Sequence, residues 1–463
     1  MTPDEWRRGE VAVIGLGRSG DAVSRLLRAH RALVYASDAG AAPSIERVAE
    51  GLRAVGVDAS AGGHDLARIA RSTLVVTSPG VPGDAPPLAT AREARVPIVS
   101  ELEIALGALP GARIIAITGT NGKSTVTAVV GHLLAALGLD VEVAGNIGRP
   151  LSEVALRAVP PAWVALEVSS YQLHDTPSLA PTVGVLTNLA PDHLDRYHDV
   201  EAYFADKRLL FRNAQATSQW VVNADDARAM VLAAGAAGIT LRFSADGRLA
   251  DAFYDRPHGA LILLDAPLMK RVDLPLHGDH NVGNALAAAL AVAAADPAHG
   301  SLTAREKLAA GLRSVRPLPH RLETVGEIHG VLWIDDSKAT NVASARVGIA
   351  GMTRPTVLLL GGRHKGEPYA PLIDPIRRHA KAVLAYGESA ELIVQDLGGS
   401  VPVERVTGDF ASVVERARAL AVPGDCVLLS PACASFDMFA NYEERGAAFA
   451  ALAQGGRAVE GVA

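Results

Sequence analysis

Nine consecutive residues, Ile117-Thr118-Gly119-Thr120-Asn121-Gly122-Lys123-Ser124-Thr125, constrain the fold of this chain more than any other stretch. The apolar run from Arg113 to Ile117 leads into them, and a periodic, proline-free segment from Val126 to Leu137 follows. The pattern reads as strand, glycine loop, helix. In such a loop, small residues let successive backbone N–H groups close around an anion, and the first helical turn adds the positive end of its dipole. Lys123 then offers a point charge to the outer phosphates, and the Ser124 hydroxyl can reach a magnesium ion. Two residues, rather than the four of the standard phosphate loop, stand between Gly119 and Gly122. The spacing narrows the field, and ATP is the expected visitor. The competing reading is a plain strand-to-helix turn with a surface lysine.

A second glycine turn lies near the start. Val11–Ile14 reads as a short strand and Gly15-Leu16-Gly17-Arg18-Ser19-Gly20 follows it. A helical pattern then runs to Ala29, and a further strand, Leu33–Ala36, ends at Ser37-Asp38. This is the dinucleotide fingerprint, with an acidic residue about 20 positions on. It specifies a βαβ unit and a pyrophosphate-sized anion without choosing a nicotinamide; a purely structural βαβ unit is the alternative. Leu74–Thr77 ends in Ser78-Pro79-Gly80, whose hydroxyl and N–H groups are expected at the same sheet edge.

Strands and helices go on alternating beyond the phosphate loop, with strands expected at Val141–Val143, Trp163–Val168, Val183–Thr187 and Trp220–Asn223. Such alternation indicates a largely parallel sheet with helices on both faces. A third α/β pattern follows Arg316-Pro317-Leu318-Pro319-His320-Arg321, with strands at Val331–Ile334, Val357–Leu360, Ala382–Tyr386 and Cys426–Leu429. At 463 residues the chain is long for one core. The expectation is an α/β protein of three domains: an N-terminal Rossmann-like parallel sheet (1–103), a central P-loop ATPase-type sheet (104–316) and a C-terminal Rossmann-like sheet (317–463).

Parallel strands deliver their C-terminal ends to one edge, so Glu167, closing Trp163-Val164-Ala165-Leu166, is expected beside the phosphate loop as a magnesium ligand, or else as a solvated carboxylate. His193, in Asn188-Leu189-Ala190-Pro191-Asp192-His193, is a second ligand or a residue behind one. Lys207, in a helical stretch, reads alone as a solvated lysine. Beside magnesium, its ammonium would be repelled and its pKa depressed, and the free amine can add carbon dioxide to become a metal-binding carbamate. Asn281 and Asn284 share a helical face suited to an adenine edge, with helix capping as the competitor for Asn281. In the last third, three polar runs end strands: Asp335 to Asn341, Gly361 to Gly366 and Ser430 to Asp437. Converging at one edge, they would form a site for a small polar ligand, with Thr340, Lys365 and Ser435 holding the carboxylates of an amino acid.

Composition removes other classes. The formal charge of -6 comes with no basic stripe, which argues against nucleic acid. Cys426 and Cys433 are the only cysteines, so no disulfide framework exists; each reads as a small buried residue in a reducing compartment. Met1 to Glu10 lacks the apolar run of a signal peptide, and Ala285–Ala295 falls short of the roughly 20 residues of a membrane span. A cytoplasmic protein with no membrane partner is expected.

The run Thr118 to Ser124, the string Asp336-Ser337-Lys338-Ala339-Thr340-Asn341, the pair His320-Arg321 and the string Ser430 to Phe436 resemble the Mur ligases of peptidoglycan synthesis, over essentially the whole chain in order. Within that family the resemblance is to the D-glutamate-adding branch. It implies ATP-dependent ligation of D-glutamate to UDP-N-acetylmuramoyl-L-alanine through an acyl phosphate, by a monomer, with two magnesium ions. It implies that Gly17, Arg18, Ser19, Asp38, Ser78 and Asn146 hold the UDP substrate. Gly119 to Thr125, Asn281, Arg321 and Asp336 would hold ATP, with Asp336 suited to ribose hydroxyls. Thr340, Lys365, Ser435 and Phe436 would hold D-glutamate, and Ser124, Glu167, His193 and carbamylated Lys207 the metal, with Lys123 central to catalysis. Ala39 and Tyr442 depart from the commonest family pattern. The rival readings are a folylpolyglutamate synthetase-like ligase, an NAD-dependent oxidoreductase resting on Gly15 to Gly20, and a non-catalytic ATP-driven switch.

Overall fold

The computed structural model describes residues 1–192, 197–276 and 278–455. Three sheets carry it. In the first, β1 (Glu10–Ile14), β2 (Leu33–Ser37), β3 (Asp58–Ser60), β4 (Leu74–Thr77) and β5 (Ile98–Ser100) are all parallel, in the order β3-β2-β1-β4-β5. The order reverses between β1 and β4, which is where an open α/β sheet leaves a crevice for a ligand.

The second sheet holds β6 (Arg113–Thr118), β7 (Val141–Gly145), β8 (Trp163–Glu167), β9 (Val183–Leu186), β10 (Gln219–Asn223), β11 (Ile239–Ser244), β12 (Ala252–Asp255), β13 (Ala260–Leu263) and β14 (Ala266–Lys270). Its order is β14-β13-β12-β11-β10-β9-β6-β8-β7, parallel except for the meander β12-β13-β14. Trp163 to Glu167 are all buried, as expected of a strand covered on both faces. The alanine-rich helix is longer than its apolar run, Asp279–Ala295, and Ala285 to Val292 are wholly buried. Among the described residues no helix is long and apolar enough to cross a membrane.

The third sheet takes β15 (Glu323–Ile328), β16 (Val331–Asp335), β17 (Thr356–Gly361), β18 (Ala380–Tyr386), β19 (Val403–Arg405) and β20 (Cys426–Leu429), in the order β15-β16-β20-β17-β18-β19. The antiparallel edge strand β15 escapes the sequence pattern because Glu323, Thr324, Gly326 and Glu327 break any apolar alternation.

Chain contacts separate two compact units. One, built from Met1–Leu189, Asp199–Arg271 and Gly283–Arg313, contains the first two sheets; the third sheet belongs to the other. Within the first unit, the helix Glu101–Ala108 joins the sheets through buried polar groups. Ser100 N–H donates to the Asp175 carbonyl at 2.7 Å, Glu101 accepts from Ser152 N–H, and Glu103 accepts from Ser178 N–H at 3.0 Å. Residue 103, where the sequence suggests a boundary, falls inside this helix, and residue 316 falls between the helix Leu302–Ser314 and β15.

Candidate active site

The phosphate loop leaves β6 between two neighbours, β9 on one side and β8 on the other. The helix it enters, Lys123–Ala136, begins ahead of the apolar periodicity. Gly122 precedes it at φ 83°, a left-handed conformation that costs glycine nothing, and a Cβ there would fall 2.4 Å from Asn284 Oδ1. At Gly119 an added Cβ would fall 2.0 Å from the Thr187 hydroxyl.

The end of β9 clasps the loop. Asn188 accepts from Asn121 N–H through Oδ1 and donates to the Asn121 carbonyl through Nδ2, both at 2.9 Å. The Asn188 carbonyl accepts from Thr120 N–H at 2.8 Å, and the Thr187 hydroxyl donates to the Asn121 carbonyl at 2.6 Å. Sequence reading missed Thr187 and Asn188 as functional residues. The signal was present, since they directly follow a strand that parallel pairing sets beside β6.

Lys123 Nζ donates to the carbonyls of Gly119 at 3.0 Å and Thr120 at 2.7 Å. Lys207 is buried, 1% exposed, with Nζ donating to the Gly119 carbonyl at 2.7 Å and lying 4.5 Å from the Tyr203 ring centroid. Glu167 is paired in register with Ile117 and is equally buried. Asn146 Nδ2 donates to its Oε1 at 2.9 Å, whereas Oε2 is buried with no hydrogen-bond partner among the described residues. The loop, Glu167 and Lys207 are therefore brought together, as the sequence suggests. Asn146, assigned to the nucleotide sugar or the metal, donates to the Glu167 carboxylate through Nδ2. Magnesium fits the Glu167 carboxylate oxygen and the Ser124 hydroxyl at this edge, whereas Lys207 in the form seen here would oppose it. His193 lies outside the described residues.

At the first sheet, Gly17 caps the helix Arg18–Ala29, with Arg18 exposed and Ser19 half-buried at its N-terminus, where an anion is favoured. Asp38 is already engaged: it accepts from Leu16 N–H and Gly40 N–H, both at 2.7 Å. The Ser78 hydroxyl donates to the Gly15 carbonyl at 3.1 Å. Both brace the glycine turn.

In the second unit, β16, β20 and β17 are adjacent, so the three polar loops that follow them share an edge. Lys365 Nζ and the Thr340 hydroxyl are 3.5 Å apart, Ser435 is buried, and Phe436 is 60% exposed. Asp336 accepts from the Ser430 hydroxyl at 2.8 Å and from Leu322 N–H at 3.3 Å; burial pushes its carboxyl up to about 7, against the pull of Arg321. Asn341 Nδ2 donates to Asp192 at 3.0 Å. Glu367, which the sequence reading passed over, accepts from Val342 N–H at 3.1 Å through one oxygen and keeps the other buried without a partner among the described residues. Burial, and then the charge of Asp192, pushes its carboxyl up to about 7. Asn281 sits in the first turn of Asp279–Ala295.

Three family models match the chain in order: the Mur ligase MurD-like N-terminal domain over residues 9–100, the Mur ligase middle domain over 117–292 and the Mur ligase glutamate ligase domain over 320–433. A protein of Myxococcus xanthus named UDP-N-acetylmuramoylalanine--D-glutamate ligase is 41% identical, with 96% of this chain and 98% of the relative covered. A protein of the same name from Chromobacterium violaceum is 42% identical, covering 96% and 97%. Among solved structures, the UDP-N-acetylmuramate-alanine ligase of Thermotoga maritima matches with a TM-score of 0.58 at 19% identity, over 92% of this chain and 96% of that one. The folylpolyglutamate synthase of Mycobacterium tuberculosis matches with 0.59 at 17%, over 75% and 92%. These two likenesses concern the fold. With near-full-length identity above 40% and all three domain models in their expected order, the chain belongs to the Mur ligase family.

Proposed function

We propose that this protein joins the amine of D-glutamate to the L-alanyl carboxylate of UDP-N-acetylmuramoyl-L-alanine, cleaving ATP to ADP and phosphate, in the cytoplasmic assembly of peptidoglycan precursors. The observation that carries the reading is a glycine loop braced by Asn188 with Glu167 and Lys207 against it, in a chain near-full-length similar to proteins of that name.

A carboxylate is a poor acyl donor, because its oxygen cannot leave as oxide. Phosphorylation by ATP gives it a leaving group, and the amine then displaces phosphate from the acyl carbon. The N–H groups of Gly119 to Thr125 cradle the phosphates, and Lys123 moves from its loop carbonyls to the γ-phosphoryl oxygens. Ser124, Glu167, His193 and Lys207 would hold two magnesium ions, which supply charge neutralisation at the transferring phosphoryl group. Lys207 would do so as a carbamate: its amine nitrogen bonds to the carbon of carbon dioxide and one proton leaves. Burial beside Gly119 supports this, since a free ammonium there would oppose the metal. Asn146 holds the Glu167 carboxylate in place.

Gly17, Arg18 and Ser19, with Asp38, Ser78 and Asn146, hold the UDP substrate, and Asp38 and Ser78 also keep the glycine turn in shape. Asn281, Arg321 and Asp336 contact ATP, and Lys365, Thr340, Ser435 and Phe436 receive D-glutamate. The protein acts as a monomer of three domains divided near residues 103 and 316.

The test is phosphate release with UDP-N-acetylmuramoyl-L-alanine against a panel of amino acids. Turnover with D-glutamate alone is expected. Release that is indifferent to D-glutamate would leave an ATP-driven switch, and release with a folate substrate would move the chain to the folylpolyglutamate branch.

A further inference from the structure

Arg445 lies on the helix Tyr442–Ala453 and is 1% exposed. No carboxylate among the described residues pairs with it. Nε donates to the Ser337 hydroxyl at 2.9 Å, and Nη2 donates to the Ser337 carbonyl at 2.8 Å. Nη1 and Nη2 both donate to the Cys433 carbonyl at 3.2 Å, and Nη1 reaches the Ala434 carbonyl at 3.4 Å. A Cβ built on Gly362 would stand 3.1 Å from Nη1. One guanidinium thus bonds to the loops that follow β16 and β20 and lies close beside Gly362 of the loop that follows β17. Burying a cation against neutral acceptors alone is costly, so packing by itself is a weak reason for an arginine here. A planar fork of five donors is what can fasten several carbonyls at once, and a lysine cannot reproduce it.

We propose that Arg445 is a positioning residue of the amino-acid pocket: it locks together the loops that present Thr340, Lys365 and Ser435, and its unpaired charge favours an amino acid carrying a second carboxylate. Ser337 and Cys433 are its handles on two of the loops, and Gly362 leaves room for it on the third. The inference rests on the reading that these loops receive D-glutamate.

Steady-state kinetics of Arg445→Lys, Ser337→Ala and Lys365→Ala test both. Arg445→Lys keeps the charge and loses the fork. Its KM for D-glutamate should rise about tenfold or more, while KM for ATP and for the UDP substrate stays within about twofold. Ser337→Ala, which removes one acceptor and leaves the arginine, should raise KM for D-glutamate by a smaller factor, and it serves if Arg445→Lys does not fold. The role is overturned if Ser337→Ala and any folded Arg445→Lys leave the D-glutamate KM unchanged, or raise all three KM values in parallel with a lowered unfolding midpoint. Lys365→Ala separates the two levels. If it raises KM for D-glutamate and the other variants do not, the inference fails alone. If it does not, the pocket reading fails and the inference with it.

Discussion

Replacing Asn188 by alanine asks whether the phosphate loop must be held in shape before ATP arrives. The side chain forms two hydrogen bonds of 2.9 Å to the peptide groups of Asn121, one accepted and one donated. Each such bond contributes a net ~0.5 to 1.5 kcal/mol, so their loss costs the closed loop about 2 kcal/mol. At about 1.4 kcal/mol per factor of ten, kcat/KM for ATP should fall roughly 30-fold. The loop is loosened rather than lost, because the backbone bond from Thr120 N–H to the Asn188 carbonyl and the Thr187 hydroxyl bond both survive the substitution. KM for D-glutamate, bound elsewhere, should stay within about twofold. Asn188→Asp keeps the acceptor but sets a carboxylate against the Asn121 carbonyl and the incoming triphosphate, so a larger fall is expected. A coupled assay of ADP release over a range of ATP concentrations measures all of this. Wild-type ATP kinetics in Asn188→Ala would refute the argument, since the loop would then hold its shape without the clasp.

Three further outcomes are expected. Lys123→Ala should lower turnover by about 10² to 10³, roughly 3 to 4 kcal/mol, the usual loss on removing one preorganised charge, and near-normal ADP release would refute the role. Activity lost in Lys207→Ala should return in part when short-chain carboxylates are added, because they replace a carbamate and not an ammonium. Burial raises the Glu101 carboxyl to about 7, with the Ser152 N–H bond pulling the other way. A folded pKa above the unfolded one gives stability that is complete at acid pH and lost as pH rises through about 7, a loss on the order of 3 kcal/mol when the group is ionised. Denaturant midpoints of the wild type should therefore fall mainly between about pH 4.5 and about pH 7.5 and level off above that, and those of Glu101→Gln, which keeps an acceptor for Ser152, should fall less.

What could be read in advance was what depends on a short stretch of chain. The strand before Gly119, the glycines and the helix after them are local, and so is the rule that Glu167, ending a parallel strand, must surface at the same edge. Partners were another matter. The spacing of Asp38 from Gly15 locates it, but spacing cannot tell that each of its oxygens also accepts a backbone N–H, from Leu16 and from Gly40. The same holds for Asn146, which a position in the family pattern assigns to substrate and the fold bonds to Glu167. Arg445 was invisible, because its meaning arises only when loops from distant parts of the chain, those of Ser337 and Cys433, meet at its guanidinium.

Lys207 shows where a closer reading of pattern would have gone further. A solvated lysine is the reasonable expectation for a charged residue in a helix, yet in Val200–Arg208 the buried positions are Tyr203, Phe204 and Lys207. These are spaced as one helical stripe, i, i+1 and i+4, so the two aromatics already mark the face that turns inward, and Lys207 lies on it. A lysine on an inward stripe has to meet an acceptor or lose its charge. It meets the carbonyl of Gly119, the residue that opens the phosphate loop. In the proposed site, an ammonium beside a triphosphate and its counter-ions would be in the wrong charge state, and addition of carbon dioxide would reverse the sign without moving the side chain. The burial of this single lysine therefore ties the helical periodicity of residues 200–208 to the metal chemistry proposed for the loop.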